Sequence, residues 1–197
     1  MTGPLATGRL RLEPFVPGDG PLLAGLDADP EVVRYVHLGP FQPPGPERYE
    51  DEVLPRFLAG SGPGCGSWKV FPKGEPVPAG VLPGWVFLRP VGAAKWYEAV
   101  GEHAPADPAL PELGYRFARA YWGRGYATEA ARAVLAHAAA RGHRRVCALR
   151  QEDNAGSARV MDKLGLKPVR TFQLDGIPAP SVLSVGAIGP ASAAAAA

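Results

Sequence analysis

The spacing of apolar and polar residues near the start of the chain predicts a strand. Leu10 and Leu12 alternate with arginine and glutamate side chains over about residues 8–15. A period of two residues places alternate side chains on opposite faces of the chain, which is typical of a half-buried strand.

Apolar residues at helical spacing predict helices elsewhere. The clearest pattern covers 127–141, where alanine, valine and leucine recur every three or four residues before Gly142. A second helix is predicted over 157–164, followed by Gly165. Weaker helical patterns cover three further segments: 20–26, 30–36 and 47–59. A proline inside the last of these is expected to kink the helix or to start a new one.

The remaining strands are predicted from short apolar runs bounded by glycine and proline. They cover six segments: 67–71, 79–88, 112–117, 145–149, 166–171 and 182–185. Residues 90–111 are rich in glycine, alanine and proline, and we expect them to extend a hairpin or to cover a pocket. Strands and helices in this order predict an α/β domain around one mixed sheet.

Composition bounds the class of protein. The 197 residues, 46% of them hydrophobic, predict one domain over residues 1–190 and a low-complexity tail over 191–197. A net charge of +2 gives no reason to propose binding to nucleic acid or to a membrane surface. The chain shows no apolar leader and no apolar run of about 18 residues, so we expect a cytoplasmic protein. Abundant alanine, glycine, proline and arginine would suit a GC-rich bacterial genome.

Cysteine and histidine residues give no sign of a disulfide framework or a metal site. Cys65 lies among glycines and Cys147 lies in an apolar run, while the four histidines lack the spacing of metal ligands. Neither cysteine has a neighbouring histidine and acid. We therefore expect no metal and no covalent acyl-enzyme.

The segment with the most chemical information follows the predicted strand that ends near Phe117. It reads YWGRGYATEA from Tyr121 to Ala130. A glycine-rich turn that opens a helix directs free backbone N–H groups outward, and together with the helix dipole these groups bind phosphate. The alternative is that Gly123 and Gly125 only shape a tight connection between strand and helix.

Two common phosphate-binding motifs do not fit this segment. The chain contains no Gly-x-x-x-x-Gly-Lys-Ser/Thr string. A dinucleotide fingerprint needs a third glycine where Thr128 stands and an acid about twenty residues further on, where Arg145 stands. The segment instead resembles the Arg/Gln-x-x-Gly-x-Gly/Ala pyrophosphate loop of the GNAT acetyltransferases. Gly125 and Ala127 fill its small-residue positions, and Trp122 replaces the Arg or Gln.

A second segment agrees with the first. The run NAGSARVMDKLGL, from Asn154 to Leu166, resembles a GNAT pattern in which the Asn side chain contacts the pantetheine arm. Asn154 and Gly165 also have a purely structural explanation, because Asn and Gly are typical helix caps. The two segments nevertheless occur in the order that the family requires.

The resemblance extends to the opening run GRLRLEPF and to ELGYR at 112–116, which are similar to RimJ/RimL-type ribosomal-protein N-terminal acetyltransferases. It implies the GNAT fold, an α/β fold with a mixed central sheet of about six or seven strands flanked by about four helices. Residues 90–111 would then be an insertion before the central strand. The resemblance also implies acetyl-CoA as co-substrate. The cofactor-binding residues expected from it are Phe117, Ala118, Arg119, Trp122, Gly123, Arg124, Gly125, Tyr126, Ala127, Thr128, Asn154 and Ser157.

The resemblance further implies catalytic roles. A backbone N–H near Phe117 would polarise the thioester carbonyl, and Ser157 would hydrogen-bond or protonate the departing thiolate. Met161 stands where many family members have a catalytic Tyr. Ser157 could also be a plain first-turn helix residue. Glu112 is the candidate base, directly or through water, although a carboxylate at a strand edge can simply be solvated. The rival bases are Glu98, Glu102 and His103.

We therefore expect an N-acetyltransferase that moves an acetyl group to a primary amine by direct attack in a ternary complex. The amine would belong to a protein N-terminus or to a small molecule. Two alternatives are open: a non-catalytic acyl-CoA-binding or regulatory protein, and a transferase that uses another acyl-CoA such as succinyl-CoA. The expected partners are acetyl-CoA and the amine acceptor, with neither nucleic acid nor a membrane. A homodimer is left open.

Overall fold

A computed structural model of the chain describes residues 3–36, 42–59 and 62–189. Four sequence predictions fall partly or wholly on other residues and so lie outside this range. They are the low-complexity tail at 191–197, one of the four histidines (His37), and parts of two loops that runs rich in glycine and proline predict at 39–46 and 60–66.

One mixed sheet of eight strands forms the centre of the described chain, in the order β1-β2-β3-β4-β5-β6-β8-β7. Neighbouring strands are antiparallel except for β5 and β6, which are parallel. The strands are β1 (Leu5–Ala6), β2 (Leu10–Pro14), β3 (Gly66–Pro72), β4 (Gly84–Pro90), β5 (Pro111–Phe117), β6 (Arg145–Gln151), β7 (Lys167–Phe172) and β8 (Ser181–Ala187). The predicted α/β fold is confirmed, with eight strands where about six or seven were expected.

Five α-helices flank the sheet in the described part of the chain: α1 (Gly20–Asp27), α2 (Pro30–Val33), α3 (Pro55–Leu58), α4 (Tyr126–Ala139) and α5 (Ala155–Lys163). Short 3₁₀ turns and a π-helical segment at Tyr49–Val53 complete the helical elements. The helical segment predicted over 47–59 is therefore present as three consecutive helical elements of different type. A new helix begins at Pro55, one of the two outcomes expected for this proline, whose ring suits a first helical turn.

Two predicted boundaries are wrong. The strand predicted over 79–88 begins only at Gly84, because residues 78–81 close a turn in which Val81 donates its N–H to Pro78 O at 3.1 Å. The helix predicted over 30–36 ends at Val33.

The two faces of the sheet carry separate apolar clusters. On one face α4 packs Ala130, Val134 and Ala138 against side chains of β2 to β5, including Trp68 and Val86. The other face of β4 carries Trp85 and Phe87 against α1 and the 49–58 segment. Alternate side chains of a strand therefore pack on opposite faces of the sheet, as the period of two residues in β2 predicts.

A third cluster covers the far half of the sheet. Residues 91–110 fold into turns that bury Val91, Trp96 and Val100 against β6, β7 and β8. The sequence left open whether this segment extends a hairpin or covers a pocket; in the structure it packs on the sheet, and the β4–β5 ladder ends at Pro90 and Pro111. The segment also delivers one tryptophan, Trp96, to the cleft described below.

The parallel strands β5 and β6 separate almost at once. Within the described residues they share one register pair, Glu112 with Cys147. Toward their carboxyl ends the two strands diverge, while β4 stays paired with β5 and β8 with β6 along their lengths. This divergence opens a gap in the middle of the sheet, where ligands of α/β proteins commonly bind.

Candidate active site

A cleft of about 1040 Å³ lies at the divergence of β5 and β6. The N-terminal ends of α4 and α5 line one part of it. The other part is lined by α1, α2, α3, the 91–110 segment and one face of β4 and β5. We call the first part the helix half and the second part the acceptor half.

Backbone groups of β5 point into the cleft. Ala118 donates its N–H to Pro83 O, on the β4 side, at 2.9 Å. Hydrogen-bonded and non-hydrogen-bonded pairs alternate along an antiparallel ladder, so Phe117 turns its N–H and carbonyl away from β4 and toward β6. The same holds for Tyr115, two residues earlier. Because β6 has already diverged at this level, these N–H groups face the cleft.

The turn between β5 and α4 is shaped for an anion. Gly123 and Gly125 have φ values of 74° and 79°, a left-handed conformation that residues with a side chain rarely adopt. No side chain caps the N-terminus of α4, and its first intrahelical donor is Glu129, which donates its N–H to Gly125 O at 3.0 Å. The N–H groups of residues 125–128 thus have no intrahelical acceptor and are directed outward at the positive end of the helix dipole.

An arginine directly before β2 ties this turn in place. Arg9 donates from Nε to Glu129 Oε2 at 2.7 Å and from Nη1 to Arg124 O at 3.1 Å, and it lies over the Tyr126 ring at 5.1 Å. Thr7 and the Arg9 backbone also donate to Glu129. Burial raises the pKa of Glu129, but these hydrogen bonds outweigh it and hold the pKa below its ordinary value.

Trp122 closes the same turn from the other side. Its indole Nε1 donates to Phe117 O at 2.6 Å, while half of the side chain stays exposed. The indole therefore takes up a carbonyl that the divergence of β6 leaves without a strand partner. Trp122, which stands where the pattern has Arg or Gln, therefore has a structural role in this turn.

Helix α5 brings its first turn to the cleft. Asn154 caps the helix by accepting the Ser157 N–H at 3.0 Å on Oδ1, which leaves its amide nitrogen as the donor atom. The Ser157 hydroxyl lies 2.8 Å from the Tyr115 hydroxyl. Burial raises the pKa of Tyr115 to about 12, although the Ser157 hydrogen bond and the charge of Arg150 oppose this shift.

A tyrosine hydroxyl thus reaches the first turn of α5 from β5 instead of from the helix itself. Met161, at the position where relatives often have Tyr, is 3% exposed and packs in the cluster under α4. Tyr115 projects from the strand face that carries Leu113 and Phe117, which is the α4 side of the sheet. The phenol and the serine hydroxyl together form a hydroxyl pair at the helix half of the cleft.

Glu112 lies in the acceptor half, and its side chain is 6% exposed. Its Oε2 accepts from Arg89 Nε at 2.7 Å and its Oε1 accepts from Trp96 Nε1 at 2.8 Å. Both carboxylate oxygens are therefore already engaged. The Glu112 carboxylate is thus held in place by two donors, and only the remaining lone pairs of its oxygens can accept a further partner.

A second buried network lies deeper in the acceptor half. Asp27 accepts hydrogen bonds from Tyr49 Oη at 3.0 Å and from Arg116. Burial and the Asp27 carboxylate raise the pKa of the Tyr49 phenol above its ordinary value. Arg116 also lies over the Trp85 ring at 5.1 Å. These contacts fix the wall of the acceptor half.

Most of the residues predicted from the sequence line the cleft. Those that do are Glu112, Phe117, Trp122, Gly123, Gly125, Tyr126, Ala127, Thr128, Asn154 and Ser157. Three others do not: Ala118 bonds to β4, Arg119 pairs with Asp29 at 3.8 Å, and the Arg124 side chain pairs with Glu75 at 3.0 Å. The rival bases Glu98, Glu102 and His103 are exposed and are not among the residues that line the cleft.

Sequence reasoning missed three side chains of this site. Arg9 stands 120 positions before its partner Glu129, and Tyr115 stands 42 positions before Ser157. Trp96 lies in a segment without a recognisable pattern. The local spacing of residues carries no sign of such contacts, because only the folded sheet brings the partners together.

A profile described as "Acetyltransferase (GNAT) domain" matches residues 9–167. The fold, the diverging strands and the uncapped helix agree with this match, and the chain belongs to the GNAT acetyltransferase family.

Individual relatives support the same family. The chain is 33% identical over 175 residues to FsC-acetyl coenzyme A-N(2)-transacetylase of Aspergillus fumigatus, an alignment that covers 85% of this chain and 66% of that protein. A GNAT-family acetyltransferase structure from Bacillus anthracis superposes with a TM-score of 0.68 at 23% identity, covering 93% of this chain and 98% of the other. The aminoglycoside acetyltransferase AAC(6')-Ib in complex with coenzyme A gives 0.67 at 17% identity, with coverage of 90% and 94%. At these identities the structural matches show the fold alone.

The described residues contain no cluster of three potential metal ligands. Both cysteines are buried, and burial raises the pKa of each thiol. Across the same residues we find no helix with the length and apolar character needed to cross a bilayer.

Proposed function

We propose that this protein is an N-acetyltransferase of RimJ/RimL-like type that transfers the acetyl group of acetyl-CoA to a primary amine by direct attack in a ternary complex. The observation that carries the proposal is the meeting of the α4 and α5 N-termini at the diverging ends of β5 and β6. Family membership supports the same chemistry.

The pyrophosphate of acetyl-CoA would bind the backbone N–H groups of residues 124–128. A left-handed Gly125 and an uncapped helix favour a doubly charged anion there. The pantetheine arm would run along β5, where Tyr115 and Phe117 offer backbone N–H groups, and past the amide nitrogen of Asn154. This arrangement would bring the thioester between β5 and the first turn of α5.

The leaving group would be the CoA thiolate. As the acceptor nitrogen attacks the carbonyl carbon, the Phe117 N–H would stabilise the developing negative charge on oxygen. The C–S bond then breaks and the sulfur takes up a proton or a hydrogen bond from Ser157. Because the raised pKa of Tyr115 keeps its phenol protonated, that phenol can donate to Ser157 Oγ and leave the serine proton free for the sulfur.

The amine must lose a proton before or during its attack. An alkyl ammonium with a pKa near 10 is almost wholly protonated at neutral pH. Glu112 is the carboxylate proposed to receive this proton, directly or through one water. Its contacts with Arg89 and Trp96 support a second candidate role, in which the fixed carboxylate only attracts and orients the ammonium group.

The acceptor would be the amine of a protein N-terminus or of a small molecule. The RimJ/RimL-type resemblance of the opening strand and of β5 favours a protein N-terminus, whereas the names of the Aspergillus enzyme and of AAC(6')-Ib refer to other acceptors. We propose a soluble cytoplasmic protein, in line with the expectation from the sequence.

Thiol release tests the proposal most simply. The purified protein is incubated with acetyl-CoA and a panel of primary amines and N-terminal peptides, and free CoA is measured. Amine-dependent release with a matching acetylated product is expected. If acetyl-CoA binds but no acceptor causes release of CoA, the protein is instead an acyl-CoA-binding protein. Release of CoA from succinyl-CoA but not from acetyl-CoA would indicate a transferase that uses another acyl group.

Glu112→Gln separates the two roles of Glu112. If the carboxylate is the base, turnover falls most near neutral pH and recovers as the pH rises, because the acceptor then loses its own proton. A loss confined to acceptor KM at every pH would assign Glu112 to ammonium recognition only.

A further inference from the structure

The acceptor half of the cleft carries an excess of positive side chains. Its acidic residues are Asp27, Glu31 and Glu112. Its basic residues are Arg34, Arg56, Arg89, Lys95 and Arg116. An acetyl acceptor itself brings a positive ammonium group into this space. The charge of the site is therefore unfavourable for an acceptor that carries only positive charge.

Ion pairs neutralise three of the five cations. The pairs are Arg34 with Glu31 at 3.8 Å, Arg89 with Glu112 at 2.7 Å, and Arg116 with Asp27. Each acid in this half of the cleft therefore already has a basic partner, and the excess charge resides on Arg56 and Lys95.

Arg56 and Lys95 have no acidic partner. All 19 aspartates and glutamates of the chain lie in the described ranges, and none of them forms an ion pair with either residue. Arg56 belongs to α3 and Lys95 to the 91–110 segment, so two separate elements bring these cations to one cleft. The pKa of Lys95 is lowered, first by partial burial and then by the positive charge of Arg56, which means that the two groups repel each other.

An anion between two such cations removes this repulsion and gains attraction to both. We propose that the acceptor is an amine that also carries an anionic oxygen group, a carboxylate or a phosphate, bound by Arg56 and Lys95 away from the reacting nitrogen. The aromatic rings of Trp85, Phe87 and Trp96 line the same half of the cleft and would pack against the apolar part of the acceptor. The proposal rests on the proposed acetyltransferase function, and it opposes a polycationic acceptor.

Calorimetry on protein saturated with CoA tests the proposal without requiring turnover. The probes are ω-amino acids of increasing chain length, the ω-amino amides of the same lengths and the matching aminoalkyl phosphates. At the best length we expect an anionic probe to bind at least about tenfold more tightly than its neutral amide. The tighter of the two anionic series then identifies the anion.

Charge-removing variants assign the effect to residues. In Arg56→Gln and in Lys95→Gln the preference for the anionic probe falls several-fold, and in the double variant it disappears, while CoA affinity stays as in the wild type. Arg48→Gln serves as a matched control, because Arg48 lies in the preceding helical segment, pairs with Glu52 and does not line the cleft.

Two results would overturn the proposal. One is equal binding, or no binding, of the anionic probes and the amides by the wild-type protein. The other is an unchanged preference for the anion in the double variant. Failure of the proposed function is distinguishable from both, because it would appear in the thiol-release assay as the absence of amine-dependent CoA release, whichever probe binds more tightly in the calorimeter.

Discussion

Met161 stands on α5 where many family members have a tyrosine, and a tyrosine from β5, Tyr115, contacts the first turn of the same helix at Ser157. Tyr115 and Ser157 place two hydroxyl oxygens 2.8 Å apart where the thioester sulfur is proposed to lie. Since the phenol is buried and its pKa is raised, it acts as a hydrogen-bond donor at neutral pH. We therefore treat Tyr115 as a positioning residue that sets the direction of the serine hydroxyl.

Removal of this phenol oxygen should slow turnover. We expect Tyr115→Phe to lower kcat about tenfold, below the range of about 10²–10⁴ for a positioned acid, because Ser157 itself remains. The KM for acetyl-CoA should stay unchanged. Steady-state kinetics of the variant and of Tyr97→Phe test this, since Tyr97 bonds to Pro105 O in the 91–110 segment and serves as the control.

The double variant adds a stricter criterion. Ser157→Ala should lower kcat by about 10²-fold, the low end of the range for a positioned acid, because water can partly replace the hydroxyl. If Tyr115 acts through Ser157, combining the two changes costs no more than Ser157→Ala alone. Fully multiplicative losses would contradict the positioning role.

Gly114 marks the point where β5 faces the acceptor half of the cleft. A Cβ atom at this residue would lie 2.3 Å from the Phe87 ring. Gly114→Ala should therefore cost about 1–3 kcal/mol of unfolding free energy through overpacking, measured by urea denaturation. Phe87→Leu in the same chain should restore part of the loss, and an unchanged stability of the single variant would show that the ring is free to move.

At the scale of elements, β2 and α4 are joined at the proposed pyrophosphate loop. The Arg9 side chain reaches both Glu129 and the carbonyl of Arg124, so it links the first turn of the helix to the turn before it. An anion-binding loop gains affinity when its N–H groups are held in place before the ligand arrives. The opening run that resembles the family therefore has a physical role, because its Arg9 holds the turn before α4 in place.

Loss of the Glu129 charge should weaken this link in a pH-dependent way. The folded protein holds the pKa of Glu129 below the ordinary value of 4.5, so its ionised form stabilises the fold above that pH. Because Arg9 is more than half exposed, we expect Glu129→Gln to cost only about 1 kcal/mol at pH 7, with a several-fold loss of acetyl-CoA affinity. The difference in stability from the wild type should close as the pH falls through the folded pKa.

Glu75→Gln provides the matched control for this prediction. Glu75 pairs with Arg124 of the same loop, but the side chains of Arg124 and Glu75 are 45% and 35% exposed, so the pair should contribute little. Denaturation curves and calorimetry at pH 7 and at acid pH are the measurements. A Glu129→Gln protein that behaves like Glu75→Gln at both pH values would show that the tether is not needed.

At the scale of the whole molecule, local patterns predicted the elements that bury one regular face. The helix with alanine, valine and leucine at helical spacing was predicted at 127–141 and observed at Tyr126–Ala139. The prediction succeeded because the apolar stripe of this helix is visible in the local sequence. Strand β6 was predicted at 145–149 and observed at Arg145–Gln151 for the same reason. The geometry of the turn before α4 was also predictable, because glycine in a turn before a helix indicates a left-handed backbone there.

Other features depend on contacts that no local pattern contains. The two-residue strand β1 exists because β2 offers it an edge, with Leu5 opposite Leu12. The π-helical segment at Tyr49–Val53 packs against α1, where Glu50 accepts the N–H groups of Gly18 and Gly20. The hydroxyl pair and the two unpaired cations arise in the same way, from elements far apart in the chain.

The central claim is that acetyl-CoA binds with its pyrophosphate at the N-terminus of α4. Calorimetric titration of acetyl-CoA into Gly125→Val and Gly142→Val tests it most directly. Both glycines have positive φ, at 79° and 98°, and they lie at opposite ends of the same helix, so the two variants share the backbone strain. We predict that the Gly125 variant loses measurable binding while the Gly142 variant binds as the wild type does. Equal affinity of the two folded variants would contradict the claim.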